Sequence, residues 1–175
     1  MSSSIRDVRA PEDFPAAVVT VSDSRARGEH QDLSGPAVAE LLKEHGFRVM
    51  TCVIVPDDSM KIQNLLIHLA QQVRLVVTTG GTGIAPRDMT PEATRAVCSR
   101  LLEGVAERMR SEGAKKTPFA VLSRGLCGVR GKALILNLPG SPAGAVESLK
   151  AVVELIPHAL GLLDGKTEHT AGPQI

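Results

Sequence analysis

Residues 75–97 read LVVTTGGTGIAPRDMTPEATRAV, and three kinds of local structure follow one another in this segment. The β-branched run Leu75–Thr79 predicts a buried strand. Two adjacent glycines come next and permit a sharp turn, because glycine has no Cβ to restrict the backbone. The tripeptide TPE predicts the start of a helix, with Thr90 as its N-cap, which we expect to continue to about residue 102. The segment therefore predicts a strand, a glycine loop and a helix in succession.

The same alternation extends outward in both directions along the chain. Apolar, β-branched runs predict further strands at 16–21, Arg48–Val55 and Ala133–Leu138. Apolar residues three and four positions apart predict helices over 35–46, 62–69, 105–110 and 143–155, with a last short helix from Pro157. Between them lie a short apolar run at 119–122 and a glycine-rich loop at 123–132.

Strands that alternate with helices are typical of a parallel sheet covered on both faces. We therefore expect an α/β fold, with one three-layer domain and a mostly parallel sheet. The domain is predicted to span residues 14–165. The segments 1–13 and 166–175 are polar and lack a hydrophobic period, so we expect them to be flexible termini.

The composition of the 175-residue chain excludes several classes of protein. Hydrophobic residues make up 43%, enough for a core, and a formal net charge of +1 provides no sequence-wide basic surface for a nucleic acid. The aromatic residues are three Phe with no Trp or Tyr, which excludes an array of base-stacking rings. No apolar run is long enough for a membrane helix or a signal peptide. A cytoplasmic protein without nucleic-acid or membrane partners is expected.

The three cysteines, Cys52, Cys98 and Cys127, are widely spaced and form no CxxC pair. Disulfide frameworks and zinc sites need pairs or clusters at closer spacing. We therefore expect all three to be small buried hydrophobic residues in a protein of a reducing compartment.

Unusual polar and glycine-rich segments follow the predicted strands where each strand ends. Residues 22–24 (SDS) follow the first strand, 57–58 (DD) the second, 80–88 the third and 139–142 (PGSP) the last. In open parallel sheets, ligands bind in the crevice beyond the carboxyl ends of the strands. The sequence therefore predicts a single site formed by these four segments.

The glycine loop at 80–83 has two interpretations. Its backbone N–H groups can point at an anion, with Thr82 and Arg87 as further donors, or the glycines can form an ordinary tight turn. The chain has no GxGxxG pattern, and residues 125–132 are one residue too long for a Walker A loop. The residues alone leave both interpretations open.

Asp57 and Asp88 are candidate magnesium ligands. Carboxylates that face a phosphate site repel the substrate unless a cation lies between them. Either Asp57 or Asp58 can instead cap the helix that follows, so the role of Asp57 stays open. For Asp88 a functional role is favoured, because Thr90 is the better cap for its helix.

Nucleophilic catalysis is poorly supported, because no histidine lies in the glycine-rich segments and no serine lies in a GxSxG turn. Phosphoryl or nucleotidyl transfer suits the remaining residues better, since it depends on positioning and charge neutralisation. Ser123 and Arg124 are candidate donors to a phosphate or to a polar ring, or loop residues bonded to their own backbone.

Five segments resemble the MogA/MoaB family of molybdenum-cofactor biosynthesis proteins, whose active members are molybdopterin adenylyltransferases. These segments are VTVSDSRARGEHQDLSGP (19–36), VPDD (55–58), VVTTGGTGIAPRDMTPEATRAV (76–97), LSRGLCGVRGKALILNLPGSP (122–142) and PHALGLL (157–163). TTGGTG followed by PRD and PEAT is highly specific, and NLPGSP follows in the order typical of the family.

The resemblance implies a molybdopterin-binding α/β fold and transfer of AMP from ATP to the terminal phosphate of molybdopterin, with Mg²⁺ as cofactor and pyrophosphate as second product. It also implies a homotrimer, or a hexamer, and hand-over of the product to a molybdate-insertion enzyme. The catalytic, metal-binding carboxylates would be Asp57 and Asp88. The residues implied to bind the substrates are Ser22, Asp23, Gly80, Gly81, Thr82, Gly83, Ser123, Pro139, Gly140 and Ser141.

The alternative is a non-catalytic paralogue that binds molybdopterin or serves as a scaffold. The presence of both Asp57 and Asp88 argues against a paralogue that only binds molybdopterin. Molybdate insertion by a related family is a weaker alternative, because we expect that activity to need domains beyond the one predicted here.

Overall fold

The computed structural model describes residues 14–166. Its strands are β1 (Pro15–Val21), β2 (Arg48–Val55), β3 (Leu75–Thr79), β4 (Arg100–Leu101), β5 (Cys127–Arg130) and β6 (Ala133–Leu138). Its α-helices are α1 (Asp23–Ala26), α2 (Ser34–Glu44), α3 (Ser59–Ala70), α4 (Thr90–Val97), α5 (Glu103–Ala114), α6 (Pro142–Lys150) and α7 (Ile156–Leu163). Two 3₁₀ segments cover Pro118–Leu122 and Val153–Leu155.

The six strands form one sheet in the order β2-β1-β3-β6-β5-β4. The pairs β1–β2, β1–β3 and β3–β6 are parallel, whereas β5 runs antiparallel to both β6 and β4. The predicted, mostly parallel sheet is confirmed. The central strands β3 and β6 are buried on both faces, which agrees with their mostly apolar sequences, broken only by Thr78, Thr79 and Asn137.

Two hydrophobic layers cover the faces of the sheet. On one face, residues of α2, α5, α6 and α7 pack together, including Leu42, Leu149 and Leu160. On the other face, α3 and α4 contribute Ile62 and Val97 among others. The three-layer α/β architecture predicted from the alternation of strands and helices is therefore confirmed.

The antiparallel pair formed by β4 and β5 was not predicted. The helix expected to reach residue 102 ends at Val97, and the expected glycine-rich loop contains β5. Ser99 N donates to Val129 O and Leu102 N to Cys127 O, both at 2.8 Å. These strands are too short to show a period, and their backbone groups are satisfied by pairing with a distant segment.

The C-terminal helical region also differs from its prediction. The helix expected over 143–155 ends at Lys150, and the chain tightens into the 3₁₀ segment Val153–Leu155 before α7 begins. The apolar run at 119–122 forms a 3₁₀ turn in which Thr117 is the N-cap and Pro118 occupies the first turn. Apolar spacing alone does not distinguish these tighter turns from an α-helix or a strand.

The predicted flexible termini, apart from Lys166, lie outside the described residues. Lys166 N donates to Gly161 O at 3.1 Å. Within residues 14–166, no helix is both long and apolar enough to cross a membrane.

Candidate active site

The carboxyl ends of the four parallel strands meet at one edge of the sheet. Ser22 N donates to Val55 O at 2.9 Å and joins the ends of β1 and β2, and Gly80 N donates to Leu138 O at 3.1 Å and joins the ends of β3 and β6. Thr79 Oγ1 also donates to Pro139 O at 2.7 Å. The four segments that the sequence analysis singled out therefore lie side by side.

The loop after β3 can form only because two of its residues are glycines. Gly80 and Gly81 have φ angles of +99° and +66°, in a region that other residues rarely enter. A Cβ on Gly80 would overlap the carbonyl oxygen of Val21, and a Cβ on Gly81 would overlap the Thr90 hydroxyl. Glycine thus allows this loop to pass between the end of β1 and the start of α4.

Thr90 holds the loop and does not cap α4, so the predicted cap is wrong. Met89 occupies the N-cap position, and Thr90 is the first helical residue. The buried Thr90 hydroxyl donates to Gly80 O at 2.9 Å, because its side chain is directed to the glycine turn.

Asp23 and Asp57 form a reciprocal pair across the ends of β1 and β2. Asp23 N donates to Asp57 Oδ2, and Asp57 N donates to Asp23 Oδ1, each at 3.0 Å. The other carboxylate oxygen, Asp57 Oδ1, is 3.1 Å from the position that a Cβ on Gly81 would take. Asp58 caps α3 by accepting from Lys61 N at 2.9 Å, so Asp57 is the aspartate directed to the site.

Asp88 lies at the other end of the glycine loop. Its Oδ2 accepts from Ala85 N at 3.0 Å and is 2.8 Å from the position that a Cβ on Gly83 would take. Asp57 and Asp88 therefore both border the 80–83 loop, one beside Gly81 and the other beside Gly83.

The carboxylates crowd one another at this edge. Burial raises the pKa of the Asp57 carboxyl above its ordinary value, and the charges of Asp23 and Asp88 raise it further, against the hydrogen bond from Asp23 N and the charge of Arg87. The pKa of Asp23 is lowered, chiefly by its hydrogen bond with Arg87. A concentration of negative charge of this kind favours a cation.

Two arginines hold groups of the site in place, Arg87 at the acidic pair and Arg124 at the glycine loop. Arg87 Nε donates to Asp23 Oδ2 at 2.6 Å, and its Nη2 donates to Asp57 O at 3.2 Å. Arg124 donates to Gly83 O and Asp88 O, each at 2.8 Å, and pairs with Glu92. Arg124, a candidate ligand donor from the sequence, uses these donors within the protein.

A cavity of about 520 Å³ lies beside the loop, with Thr82 and Gly83 but neither Asp57 nor Asp88 among its lining residues. Its walls come from α5, the segment 118–123, the start of α6 and the loop itself. A cavity of this size fits a small organic ligand. The lining residues include Thr82, Gly83, Met109, Arg110, Lys116, Phe119, Leu122, Ser123, Pro139, Gly140, Ser141, Gly144 and Ser148.

The predicted site residues fall into two adjacent groups joined by the glycine loop. The acidic group contains Ser22, Asp23, Asp57, Gly80, Gly81 and Asp88, and the cavity group contains Thr82, Gly83, Ser123, Pro139, Gly140 and Ser141. In the acidic group, Ser22 is buried and its hydroxyl accepts from Arg25 N at 3.3 Å as the cap of α1.

The serines of the cavity group also cap local turns. Ser141 Oγ accepts from Gly144 N at 3.1 Å, and Ser123 Oγ accepts from Gly125 N at 3.3 Å. Each hydroxyl keeps its own hydrogen to donate to a ligand.

The cavity wall supplied by α5 and the 3₁₀ turn was not predicted from the sequence. Arg110 Nη1 donates to Gly125 O at 3.2 Å and so joins α5 to the loop before β5. Lys116 Nζ pairs with Glu147 Oε2 at 2.7 Å. Only the Thr117-Pro118 dipeptide is a local signal, for a turn start, and nothing in the sequence indicated that this turn faces the glycine loop.

The acidic group fits a magnesium ion that is shared with a substrate. Within residues 14–166, no three or more His, Cys, Asp and Glu side chains form a group that could hold a metal ion by themselves. Mg²⁺ usually keeps several waters and takes one or two carboxylates together with substrate phosphates. Asp57 and Asp88 supply oxygen ligands of that kind, and a divalent cation would relieve the crowding that raises the pKa of Asp57.

Comparison with known proteins agrees with this geometry. Residues 17–158 match the MoCF_biosynth family, described as a probable molybdopterin binding domain. The chain belongs to this family. The match spans the whole sheet except for the first two residues of β1, and it includes every predicted site residue.

Relatives in the family cover most of the chain. A molybdopterin adenylyltransferase from Helicobacter pylori (strain J99) is 43% identical over 152 residues, 85% of this chain and 86% of that protein. One from Escherichia coli (strain K12) is 37% identical over 171 residues, 88% of this chain and 87% of that protein. Among solved structures, the molybdopterin biosynthesis enzyme MoaB from Thermus thermophilus has 51% sequence identity to this chain and a TM-score of 0.82. The match covers 87% of this chain and 98% of the MoaB chain.

Proposed function

We propose that this protein is a molybdopterin adenylyltransferase, which transfers AMP from ATP to the terminal phosphate of molybdopterin and releases pyrophosphate. The observation that carries the proposal is that one glycine loop borders both carboxylates, Asp57 and Asp88, and also lines a cavity. Phosphates held at the loop would lie between a cation site and a space large enough for a ring system. The names of the relatives support the same reaction.

The reaction needs no nucleophile from the protein. An oxygen of the molybdopterin phosphate, already ionised at neutral pH, attacks the α-phosphorus of ATP, and the bond from that phosphorus to the pyrophosphate oxygen breaks. Catalysis of such a transfer depends on alignment and on neutralisation of charge. This accounts for a predicted site that contains carboxylates, glycines and capping serines but no histidine.

The protein's own residues would hold the two anionic substrates in place. The backbone of the 80–83 loop would approach phosphate oxygens closely, because glycine has no Cβ to block the approach. Asp57 and Asp88 would hold Mg²⁺, which supplies charge neutralisation between the phosphates when bound. Arg124 keeps Gly83 and Asp88 at a fixed separation through its two backbone contacts.

The test is an adenylylation assay with purified protein, molybdopterin, ATP and Mg²⁺. Asp57→Asn and Asp88→Asn should each lower the rate by at least about 100-fold, the order expected when one preorganised charge-stabilising group is lost. Both variants should keep the fold, because Asn is close in size to Asp and can accept the same backbone hydrogen bond. The product is measured as adenylylated molybdopterin together with released pyrophosphate.

Asp58→Asn is the matched control. Asp58 neighbours Asp57 but caps α3, and Asn caps a helix about as well as Asp, so its rate should stay close to that of the unchanged protein. Turnover by Asp88→Asn equal to that of the control would contradict the proposed role of Asp88. Binding of molybdopterin by the unchanged protein without any adenylylated product would instead identify the non-catalytic paralogue.

Three further expectations from the family resemblance stay predictions. They are assembly as a homotrimer, with a hexamer as the alternative, hand-over of the product to a molybdate-insertion enzyme, and a cytoplasmic location.

A further inference from the structure

Aromatic side chains are scarce in this protein, and one of them stands apart from the core. The sequence has three Phe and neither Trp nor Tyr. Phe14 and Phe47 pack against each other with ring centroids 6.5 Å apart, and both contact the core on one face of the sheet. Phe119, in contrast, is 75% exposed. An exposed aromatic ring can still bury its apolar surface against a bound ligand.

The backbone that carries Phe119 is held in place. It belongs to the 3₁₀ turn Pro118–Leu122, where Thr117 Oγ1 accepts from Phe119 N at 3.4 Å. The turn packs closely on α5, because a Cβ on Gly113 would come within 2.9 Å of Ala120 Cβ. The backbone that carries the Phe119 ring is therefore fixed by its contacts with Thr117 and α5.

That wall faces the candidate active site. Phe119 lines the 520 Å³ cavity together with Gly83 and Pro139, and Ile84, which is 72% exposed, lines it beside the glycine loop. The cavity is thus bordered by the exposed apolar side chains of Phe119 and Ile84 and by the glycine loop. A ligand anchored at the loop by phosphate and carrying a flat ring would cover the exposed side chains.

We propose that Phe119 stacks on a planar nitrogen heterocycle of a substrate bound in this cavity and helps to select it. The inference rests on the proposed function, in which both substrates carry such a ring, adenine in ATP and the pterin in molybdopterin. A single ring face suffices for one heterocycle, although the aromatic content is too low for the array of rings that a nucleic acid needs. Phe119 is a substrate-contacting residue and takes no part in the chemical step.

The absence of Trp and Tyr from the sequence permits a direct optical test. Phe119→Trp places a single indole fluorophore at the cavity wall. Stacking of a heterocycle on this indole should quench its emission in a saturable titration, with ATP in the presence of EDTA in one arm and with molybdopterin in the other. Quenching by ATP but not by molybdopterin identifies adenine as the stacked ring. Quenching by molybdopterin but not by ATP identifies the pterin.

Val121→Trp is the matched control. Val121 lies in the same 3₁₀ turn and is 60% exposed, but it is not among the residues that line the cavity. Its indole should show only the weak quenching that comes from light absorption by the added ligand. Equal quenching of the two variants would overturn the proposal.

Affinity measurements by isothermal titration calorimetry complete the test. Phe119→Leu keeps an apolar side chain but loses the ring face, and it should raise the Kd of the stacked substrate about tenfold, the low end of what loss of one base–aromatic contact costs. Phe119→Tyr should restore the affinity. Inorganic tripolyphosphate, which has no ring, should bind Phe119→Leu and the unchanged protein equally.

The outcomes separate this inference from the proposed function. Ring-dependent binding without adenylylated product would support the stacking and refute the transfer reaction. Adenylylation with an unchanged Kd in Phe119→Leu would refute only the stacking. A change in assembly mass of Phe119→Leu with no change in affinity would assign Phe119 to an interface between copies and overturn the proposal, as would failure of the unchanged protein to bind either substrate.

Discussion

At the scale of single residues, Asp57 is held where its charge is unfavourable. The carboxyl is partly buried, and Asp23 and Asp88 place further negative charge near it, so its pKa is raised. Only the Asp23 backbone N–H and the charge of Arg87 oppose these effects. A carboxylate whose ionised form is disfavoured in this way is typical of a functional site, because a bound cation would neutralise its charge.

Asp57→Asn should therefore stabilise the free protein although it lowers the rate of adenylylation. A carboxyl whose pKa is raised by folding destabilises the folded state once it ionises, and the cost appears as the pH rises through the range between its ordinary and its raised pKa. We expect the melting temperature of Asp57→Asn to exceed that of the unchanged protein at pH 7.5, and the difference to vanish at pH values low enough to protonate Asp57. Differential scanning calorimetry without added metal measures both.

Asp58→Asn again serves as the control, since it removes a neighbouring charge and keeps the cap of α3. Its melting temperature should not show an increase over the unchanged protein at pH 7.5 that vanishes at low pH. A lower melting temperature for Asp57→Asn than for Asp58→Asn at pH 7.5 would contradict the unfavourable environment assigned to Asp57.

At the scale of structural elements, the glycine loop depends on close contacts between the ends of strands. Gly80 lies against the Val21 carbonyl of β1, and a Cβ on Gly140 would come within 3.3 Å of Gly80 Cα. Beneath this contact, the buried Asn137 side chain donates to Thr78 Oγ1 at 3.0 Å and to Thr94 Oγ1 at 2.9 Å. The loop is therefore fixed by β1, β6 and α4 together, which keeps the site preorganised.

Gly80→Ala and Gly28→Ala form a pair that separates backbone strain from steric overlap. Both glycines have positive φ, +99° and +74°, but a Cβ on Gly28 would meet no atom within 4 Å, whereas one on Gly80 would overlap Val21 O. Gly28→Ala should cost about 1 kcal/mol of unfolding free energy, for backbone strain alone. Gly80→Ala should cost roughly 1–3 kcal/mol more, because of the overlap. Urea unfolding measures both, and equal costs would show that the contact at Gly80 relaxes freely.

At the scale of the whole molecule, the three cysteines differ in their surroundings. Cys127 is buried and Cys98 is half-buried, but Cys52 is exposed on the edge strand β2, so the expectation that all three are buried is wrong for Cys52. β2 is an edge strand, and alternate residues along it, among them Met50 and Ile54, are exposed because successive side chains point to opposite faces of the sheet. Burial raises the pKa of Cys98 to about 11 and of Cys127 to about 12.

Thiol labelling should reflect this distribution. At pH 8 Ellman's reagent should modify Cys52 first, while Cys98 and Cys127 stay almost fully protonated and react only after denaturation in guanidinium. Cys52→Ser should remove the fast phase and leave the denatured total lower by one thiol. A native protein without any fast thiol would contradict the exposure of Cys52 and indicate that another copy covers β2.

Much of the fold was predictable, because its signals are local. The run Leu75–Thr79 and the glycines after it show a strand and its turn within a few residues, and the prediction of a parallel sheet follows from the alternation of strands and helices. The short strands β4 and β5 were not predictable, since each gains its hydrogen bonds from residues far along the chain. For the same reason the sequence left open whether Asp57 or Asp58 caps α3, which the reciprocal bonds to Asp23 decide.

By itself, then, the sequence determined the α/β class, the four segments at the carboxyl ends of the strands and Asp88 as a candidate beside the glycine loop. These depend on hydrophobic period, on the backbone freedom of glycine and on the common direction of parallel strands. Only the tertiary structure decided that α5 and the turn carrying Phe119 close a cavity beside that loop. Such a cavity is enclosed by residues that are far apart in the chain, and its shape depends on how closely the helices pack on the sheet.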